Sequence, residues 1–151
     1  MIAGCVIWRC MATIISKSPE DTFEFGQRLA GVARRGWVIG LEGDLGAGKT
    51  HLVKGLAAGL GISERITSPT FALVNEYRTG RLPLAHLDLY RLDTMEAIWS
   101  AGLELYLEPE GLAVIEWMDR WTGAKPRDFT QVRIEVLDGN ERRIVHDDIG
   151  F

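Results

Sequence analysis

The chain has 151 residues, 46% hydrophobic and 25% charged, values that suit one folded domain and leave out wholesale disorder, collagen-like repeats and long coiled coils. Lys and Arg number 17 against 21 Asp and Glu, so the formal net charge of −4 argues against binding nucleic acid by bulk phosphate neutralisation, and no DNA partner is expected. Cys5 and Cys10 have neither zinc-ribbon nor disulfide-framework spacing and fit a reducing compartment.

The opening MIAGCVIWRCMA is apolar, but Arg9 interrupts it, no charged region precedes it, and it is shorter than the roughly 20 residues of a bilayer span. It predicts no signal peptide, anchor or membrane partner. Met11 begins a more ordinary stretch, so residues 1–12 are read as an N-terminal extension outside the fold and 13–151 as a single domain. From Ser18, SPEDTFEFGQRLAGVARRG predicts a helix with Ser18 as cap, Pro19 in the first turn, acidic Glu20 and Asp21 at the positive end of the dipole, and Gly36 as the stop. Trp37 to Leu41 is a short, almost wholly apolar run, as expected of a strand buried on both faces of a parallel sheet. After GDLGAGKT, the spacing of Leu52, Val53, Leu56 and Leu60 predicts a second helix, closed by Gly59 and Gly61.

Farther on, FALVNEY (71–77) and LPLAHLDLY (82–90) read as strands joined at Thr79-Gly80 in an antiparallel hairpin. A helical stretch from Thr94 follows, then a buried strand from Gly111 to Ile115 that ends in Glu116-Trp117. QVRIEVLDGNERRIVHDD closes the chain as a hairpin turning at Asp138-Gly139-Asn140. The fold class expected is α/β: a P-loop NTPase-like three-layer sandwich with a mixed sheet, parallel at its centre and with antiparallel hairpins.

Residues Gly43-Asp44-Leu45-Gly46-Ala47-Gly48-Lys49-Thr50 match G-x-x-x-x-G-K-[ST] directly after an apolar strand and at the opening of a helix. Glycines let successive backbone N–H groups converge on phosphate oxygens, and the helix N-terminus adds positive potential. Lys49 supplies an ammonium to the terminal phosphates and the Thr50 hydroxyl a ligand for Mg²⁺. The loop therefore implies a nucleoside triphosphate and magnesium.

Hydrolysis also needs a carboxylate for the metal shell and a group to orient water. Asp88 follows Leu84-Ala85-His86-Leu87 and Glu116 ends the run from Leu112, so both are placed near strand C-termini, where α/β sheets bind ligands. Glu116 is the first choice for metal or water; the bland alternative for either is a solvated or salt-bridged side chain, and for Asp88 also a local cap. His86 and His146 lack metal-ligand spacing. For His86 the default is packing or capping, with a hydrogen bond to the metal site as the alternative. Tyr90 and Arg91 read as a partner surface or as local packing, and Arg142-Arg143 as a phosphate or RNA attractant or a solvated hairpin edge.

Four motifs occur together and in order: GDLGAGKT at 43–50, SPTF at 68–71 followed by LVNEY, HLDLYRL at 86–92, and IEW at 115–117. Over about residues 13–146 the chain resembles the bacterial TsaE (YjeE) family of ATPases in tRNA threonylcarbamoyladenosine biosynthesis. The resemblance implies that the 43–50 loop cradles ATP, that Thr50 and Glu116 hold Mg²⁺, and that Asp88 corresponds to the family's essential Walker-B-like aspartate. It puts Thr70 in a switch-like segment and Trp117 beside the nucleotide, with plain packing as the alternative for Trp117. Thr22 and Gly139 follow as further nucleotide contacts. His51 stands where many members have a second Thr, and its backbone N–H keeps the α-phosphate contact.

What the resemblance implies for function is a cytoplasmic, Mg²⁺-dependent ATPase, weak alone, that acts with TsaB and TsaD in forming threonylcarbamoyladenosine at position 37 of tRNAs reading codons that begin with A. It would meet tRNA indirectly, through the complex. Catalysis would fall to Lys49, Asp88 and Glu116. Two other functions remain open: a small-molecule P-loop kinase, and a non-catalytic switch in which ATP binding organises SPTF for a partner.

Overall fold

The computed structural model describes residues 9–151. Its elements are β1 (Met11–Ser16), α1 (Pro19–Gly31), β2 (Trp37–Glu42), α2 (Lys49–Gly59), β3 (Val74–Tyr77), β4 (Leu84–Asp88), α3 (Met95–Ser100), β5 (Leu112–Glu116), β6 (Phe129–Val136) and β7 (Arg142–Asp147), with 3₁₀ segments at Leu103–Leu107 and Met118–Arg120. All seven strands form one sheet in the order β1-β7-β6-β2-β5-β4-β3. The pairs β6–β2, β2–β5 and β5–β4 are parallel, whereas β1–β7, β7–β6 and β3–β4 are antiparallel. The expected mixed sheet with a parallel centre is what the chain forms.

Strand alternation builds two cores. Trp37, Ile39 and Leu41 of β2 pack with Leu112 and Val114 of β5 against α1 and α2, while Val38, Ala113 and Ile115 turn to the opposite face, against Ile98 of α3, Leu103 and Met118. Being buried on both sides is why β2 and β5 read as continuous apolar runs. Each such fully buried Leu, Ile or Val contributes about 1.5–3 kcal/mol relative to exposure. The result is three layers, with the sheet between a pair of helices and a smaller helical layer.

Helix α1 starts as expected: the Ser18 side chain accepts from the Asp21 N–H at 3.2 Å. It ends at Gly31 rather than running to Gly36, and Arg81 donates to the freed carbonyls of Ala30 and Ala33 at 2.7 and 3.4 Å. Strand β3 begins at Val74, three residues later than expected, because Leu73 takes φ 70° and breaks the extended run. Strand β1 carries no distinct signal in the sequence reading; its partner β7 supplies the register, with Ile14 opposite Ile144. It takes up Met11 and Ala12, assigned above to the N-terminal extension. Arg9 donates to the Phe129 carbonyl and to Asp147 at 2.7 and 2.9 Å, and the Cys10 carbonyl accepts from Asp148. Cys10 is an exposed free thiol, whereas Cys5 and the rest of 1–8 lie outside the described residues. No described helix is long and apolar enough to cross a membrane.

Helix α2 is held against α1 by a close backbone approach. A Cβ added at Gly55 would stand 2.0 Å from the Phe23 carbonyl oxygen, closer than any real contact, so the helices meet only because this side chain is absent. Gly55→Ala is therefore expected to destabilise the protein by about 1–3 kcal/mol, the usual cost of overpacking, read as a lower denaturation midpoint in urea. An unchanged midpoint would mean that the helices part without cost.

Candidate functional site

The glycine loop leaves β2 and enters α2 without a side-chain cap: Gly48, at φ 110° and ψ 18°, occupies the N-cap position in a left-handed conformation that side chains rarely adopt. Loop amides at this end are left for a ligand rather than for a capping side chain. Directly behind them is Lys49, only 5% exposed. Its Nζ donates to the carbonyls of Gly43 and Asp44 at 2.6 and 2.9 Å and lies 4.1 Å from the centre of the Trp117 ring. Burial pushes the ammonium's pKa below its ordinary 10.5, while Glu116 and Asp88, followed by Asp119 and Asp44, pull it back up. A desolvated cation with part of its hydration replaced by carbonyls is suited to an incoming anion.

The carboxylates arrive from the parallel centre of the sheet. In the β4–β5 register Asp88 stands opposite Glu116, and in the β2–β5 register Leu41 stands opposite Glu116, so three strands end together beneath the loop. Both acids are 2% exposed. Glu116 Oε1 accepts from the Thr50 hydroxyl at 2.8 Å and lies 2.8 Å from His86 Nε2. Asp88 faces the other way: its Oδ2 accepts from the hydroxyls of Ser68 and Thr70 at 3.2 and 3.1 Å, and its Oδ1 from the Tyr90 N–H at 2.8 Å. Thr50 and the two carboxylates offer hard oxygen ligands, the donor set that suits Mg²⁺.

One cleft is lined by Leu45, Gly46, Gly48, Lys49, Thr50 and His51 on the loop side and by Ser68, Thr70, Asp88, Tyr90, Glu116 and Trp117 on the other. Trp117 takes φ 60°, an uncommon conformation for a bulky residue, which turns its ring toward Lys49 and to 5.0 Å from that of Tyr90. A second cleft continues past the loop, lined by Ser18, Pro19, Thr22, Gly46, Ala47, Gly48, His51, Asn140 and Arg142. Gly46, Gly48 and His51 border both.

A family model described as "Threonylcarbamoyl adenosine biosynthesis protein TsaE" matches residues 16–144. The chain belongs to the TsaE family. A Nostoc tRNA threonylcarbamoyladenosine biosynthesis protein TsaE is 46% identical over 137 residues, covering 88% of this chain and 83% of that protein. The Bacillus subtilis protein of the same name is 38% identical, with 88% and 83% covered. The crystal structure of Bacillus subtilis YdiB superposes with a TM-score of 0.79 at 34% identity, covering 93% of this chain and 87% of that one.

Among the TsaE-family residues singled out from the sequence, the first cleft brings together Leu45, Gly46, Gly48, Lys49, Thr50, His51, Thr70, Asp88, Glu116 and Trp117. Asp44 lines a different groove, with Glu42, Asp119 and Arg133; its carbonyl accepts from Lys49 at 2.9 Å, and its carboxylate acts on that ammonium through space. Ala47 borders the second cleft, and its carbonyl accepts from Arg142 Nε at 3.1 Å. Thr22 borders that cleft too, but its hydroxyl is engaged with Ser16 Oγ at 2.8 Å. Gly139 does not line it; its carbonyl accepts from Arg142 at 3.0 Å, so the hairpin reaches the cleft through Asn140 and Arg142. Arg143 pairs instead with Glu135 at the hairpin edge.

Ser68 and Tyr90 also belong to the site without having been assigned a nucleotide or metal role from the sequence. Ser68 was inside the quoted SPTF motif, whereas the part played by Tyr90 is a backbone N–H, invisible in side-chain identity. Since bonds to a charged carboxylate are worth about 1.5–3 kcal/mol each, Asp88→Ala is expected to speed amide hydrogen exchange in the 68–73 segment roughly tenfold or more, with α1 amides unchanged. Uniform acceleration throughout the chain would point to global destabilisation instead.

Proposed function

We propose that this chain is an ATP-binding and ATP-hydrolysing subunit required for threonylcarbamoyladenosine formation at position 37 of tRNAs that read codons beginning with A, acting in the cytoplasm with TsaB and TsaD. Membership of the TsaE family and the names of its relatives support the pathway. The observation that carries the nucleotide reading is the buried Lys49 ammonium behind uncapped loop amides, with Thr50 beside it and Glu116 and Asp88 across one cleft.

In this reading the loop amides and Lys49 bind the β- and γ-phosphates, and developing charge on the transferring phosphoryl group is met by the same donors. Thr50, with Glu116 behind it and Asp88 alongside, holds Mg²⁺, which when bound neutralises the polyphosphate. Glu116 keeps the Thr50 hydroxyl hydrogen on its own oxygen, leaving the hydroxyl lone pairs to face outward. Asp88 orders the metal's water shell or the attacking water while tethering SPTF. Trp117 covers Lys49, and the second cleft, with Thr22, His51 and Arg142 at its border, accepts the nucleoside end.

Among the described residues Lys49 is the one Lys or Arg side chain lining the first cleft. Enzymes of this chemistry often gain several orders of magnitude from an additional arginine supplied in cis or by a partner. The isolated chain is thus expected to release phosphate slowly and to speed up when TsaB and TsaD are added. Equal rates with and without them would remove partner completion. Lys49→Ala is expected to weaken ATP binding by at least roughly tenfold, as loss of a charge-assisted contact does.

A second reading is favoured by the Asp88 contacts with Ser68 and Thr70: ATP binding organises SPTF for a partner, and hydrolysis is incidental. Glu116→Gln separates the two. If that variant binds ATP and partners normally, no longer releases phosphate, and still supports the modified nucleoside in bulk tRNA digests, the switch reading holds. If the nucleoside disappears, hydrolysis is required. Unchanged nucleoside after depletion of the whole protein would overturn the pathway assignment.

A further inference from the structure

His86 is fully buried in the middle of β4, two residues before Asp88 and on the same sheet face. Its Nε2 lies 2.8 Å from Glu116 Oε1, and its Nδ1 has no partner among the described residues. The tautomer follows from the acceptor: a carboxylate oxygen calls for N–H on Nε2, and a bare lone pair at Nδ1 leaves no donor stranded. Glu116 Oε1 consequently receives two hydrogens, one from Thr50 and one from His86. Both recorded donors use the same oxygen, so Oε2 is the oxygen left to face the cleft that Glu116 lines.

We infer that His86 is a positioning residue for the cation site: by holding Glu116 Oε1 from behind, it fixes the carboxylate so that the Thr50 hydroxyl and Oε2 present their lone pairs together. This rests on the Mg²⁺–nucleotide reading of the cleft. The histidine touches neither nucleotide nor metal, and acts through the angle and the hydrogen-bond occupancy of one carboxylate. Without that hydrogen bond Glu116 is free to rotate about its side-chain bonds, and Thr50 loses a fixed acceptor. Outer partners of this kind typically change metal affinity 10–100-fold, with little effect on ligands that do not need the metal.

The test measures ATP binding by calorimetry with and without Mg²⁺ in the full chain and in three variants. His86→Gln places an amide N–H near the former Nε2; His86→Asn places it near Nδ1, out of reach of Glu116; His86→Leu removes it. The expected result is that Mg²⁺-free affinity stays within about twofold in all of them. The Mg²⁺ enhancement then falls roughly 10–100-fold in His86→Leu and His86→Asn and is restored in His86→Gln. The Gln and Asn pair keeps the comparison valid if the Leu variant does not fold, because both retain a buried amide. Enhancement equal to wild type in Asn, or lost equally in Gln and Asn, overturns the inference. A wild-type protein that binds ATP without responding to Mg²⁺ overturns the cation reading, and one that binds no ATP overturns the proposed function; neither result resembles a difference confined to the variants.

Discussion

The arrangement depends on one buried cation. Taking an ammonium out of water costs several kcal/mol even after the protein relaxes, and Lys49 recovers part of this through two loop carbonyls and two nearby carboxylates. Those carbonyls are available because the loop turns back on itself after β2, and Gly48 in a left-handed conformation lets it do so. Burial lowers the Lys49 pKa, and the nearby carboxylates oppose that shift. An anion at the loop would add to that compensation, and both the left-handed glycine and the lysine's desolvation are in place without a ligand.

Topology decides where that cation meets its acids. Because β2, β5 and β4 are adjacent and parallel, their C-terminal ends share one edge of the sheet, and the register puts Leu41, Glu116 and Asp88 in a row across it. Period-two alternation then puts His86, Asp88 and Glu116 on the face covered by α2, whose first turn carries Lys49 and Thr50. The helix reaches that position only by pressing against α1 where Gly55 lacks a side chain. A backbone contact remote from the cleft therefore helps to hold the helix whose first turn carries Lys49 and Thr50.

The loop, the central strands and the two acids were legible because each rests on a local signal: glycines at fixed spacing, apolar runs of strand length, and acids just after them. The C-terminal hairpin was legible from Asp138-Gly139-Asn140. What escaped was whatever depends on pairing at a distance. Strand β1 is half exposed at the sheet edge, and its identity as a strand comes from β7, more than a hundred residues away. The early end of α1 is capped by Arg81 from 51 residues away in sequence, and the late start of β3 falls just after a single left-handed residue, Leu73. At the site, family resemblance named Thr22 and Gly139 as nucleotide contacts, yet the Thr22 hydroxyl is engaged with Ser16 and Gly139 lies outside the lining of the second cleft, its carbonyl accepting from Arg142. No composition or spacing rule encodes where a hydroxyl points.

The two carboxylates show why similar positions at strand ends need not mean similar work. Glu116 has the longer side chain and crosses to Thr50, with His86 fixing it from the strand beside it; all its recorded bonds stay within the rigid centre of the sheet and α2. Asp88, one methylene shorter, stays near its own strand and holds Ser68 and Thr70 on the exposed segment before β3. One acid is tied to the fixed wall of the cleft and the other to its most exposed rim, where Phe71 projects into solvent beneath the Arg91 guanidinium. Of the two, only Asp88 is bonded to residues of an exposed segment. Asp88 is thus the carboxylate bonded to the exposed rim, and Glu116 the one bonded to the loop side.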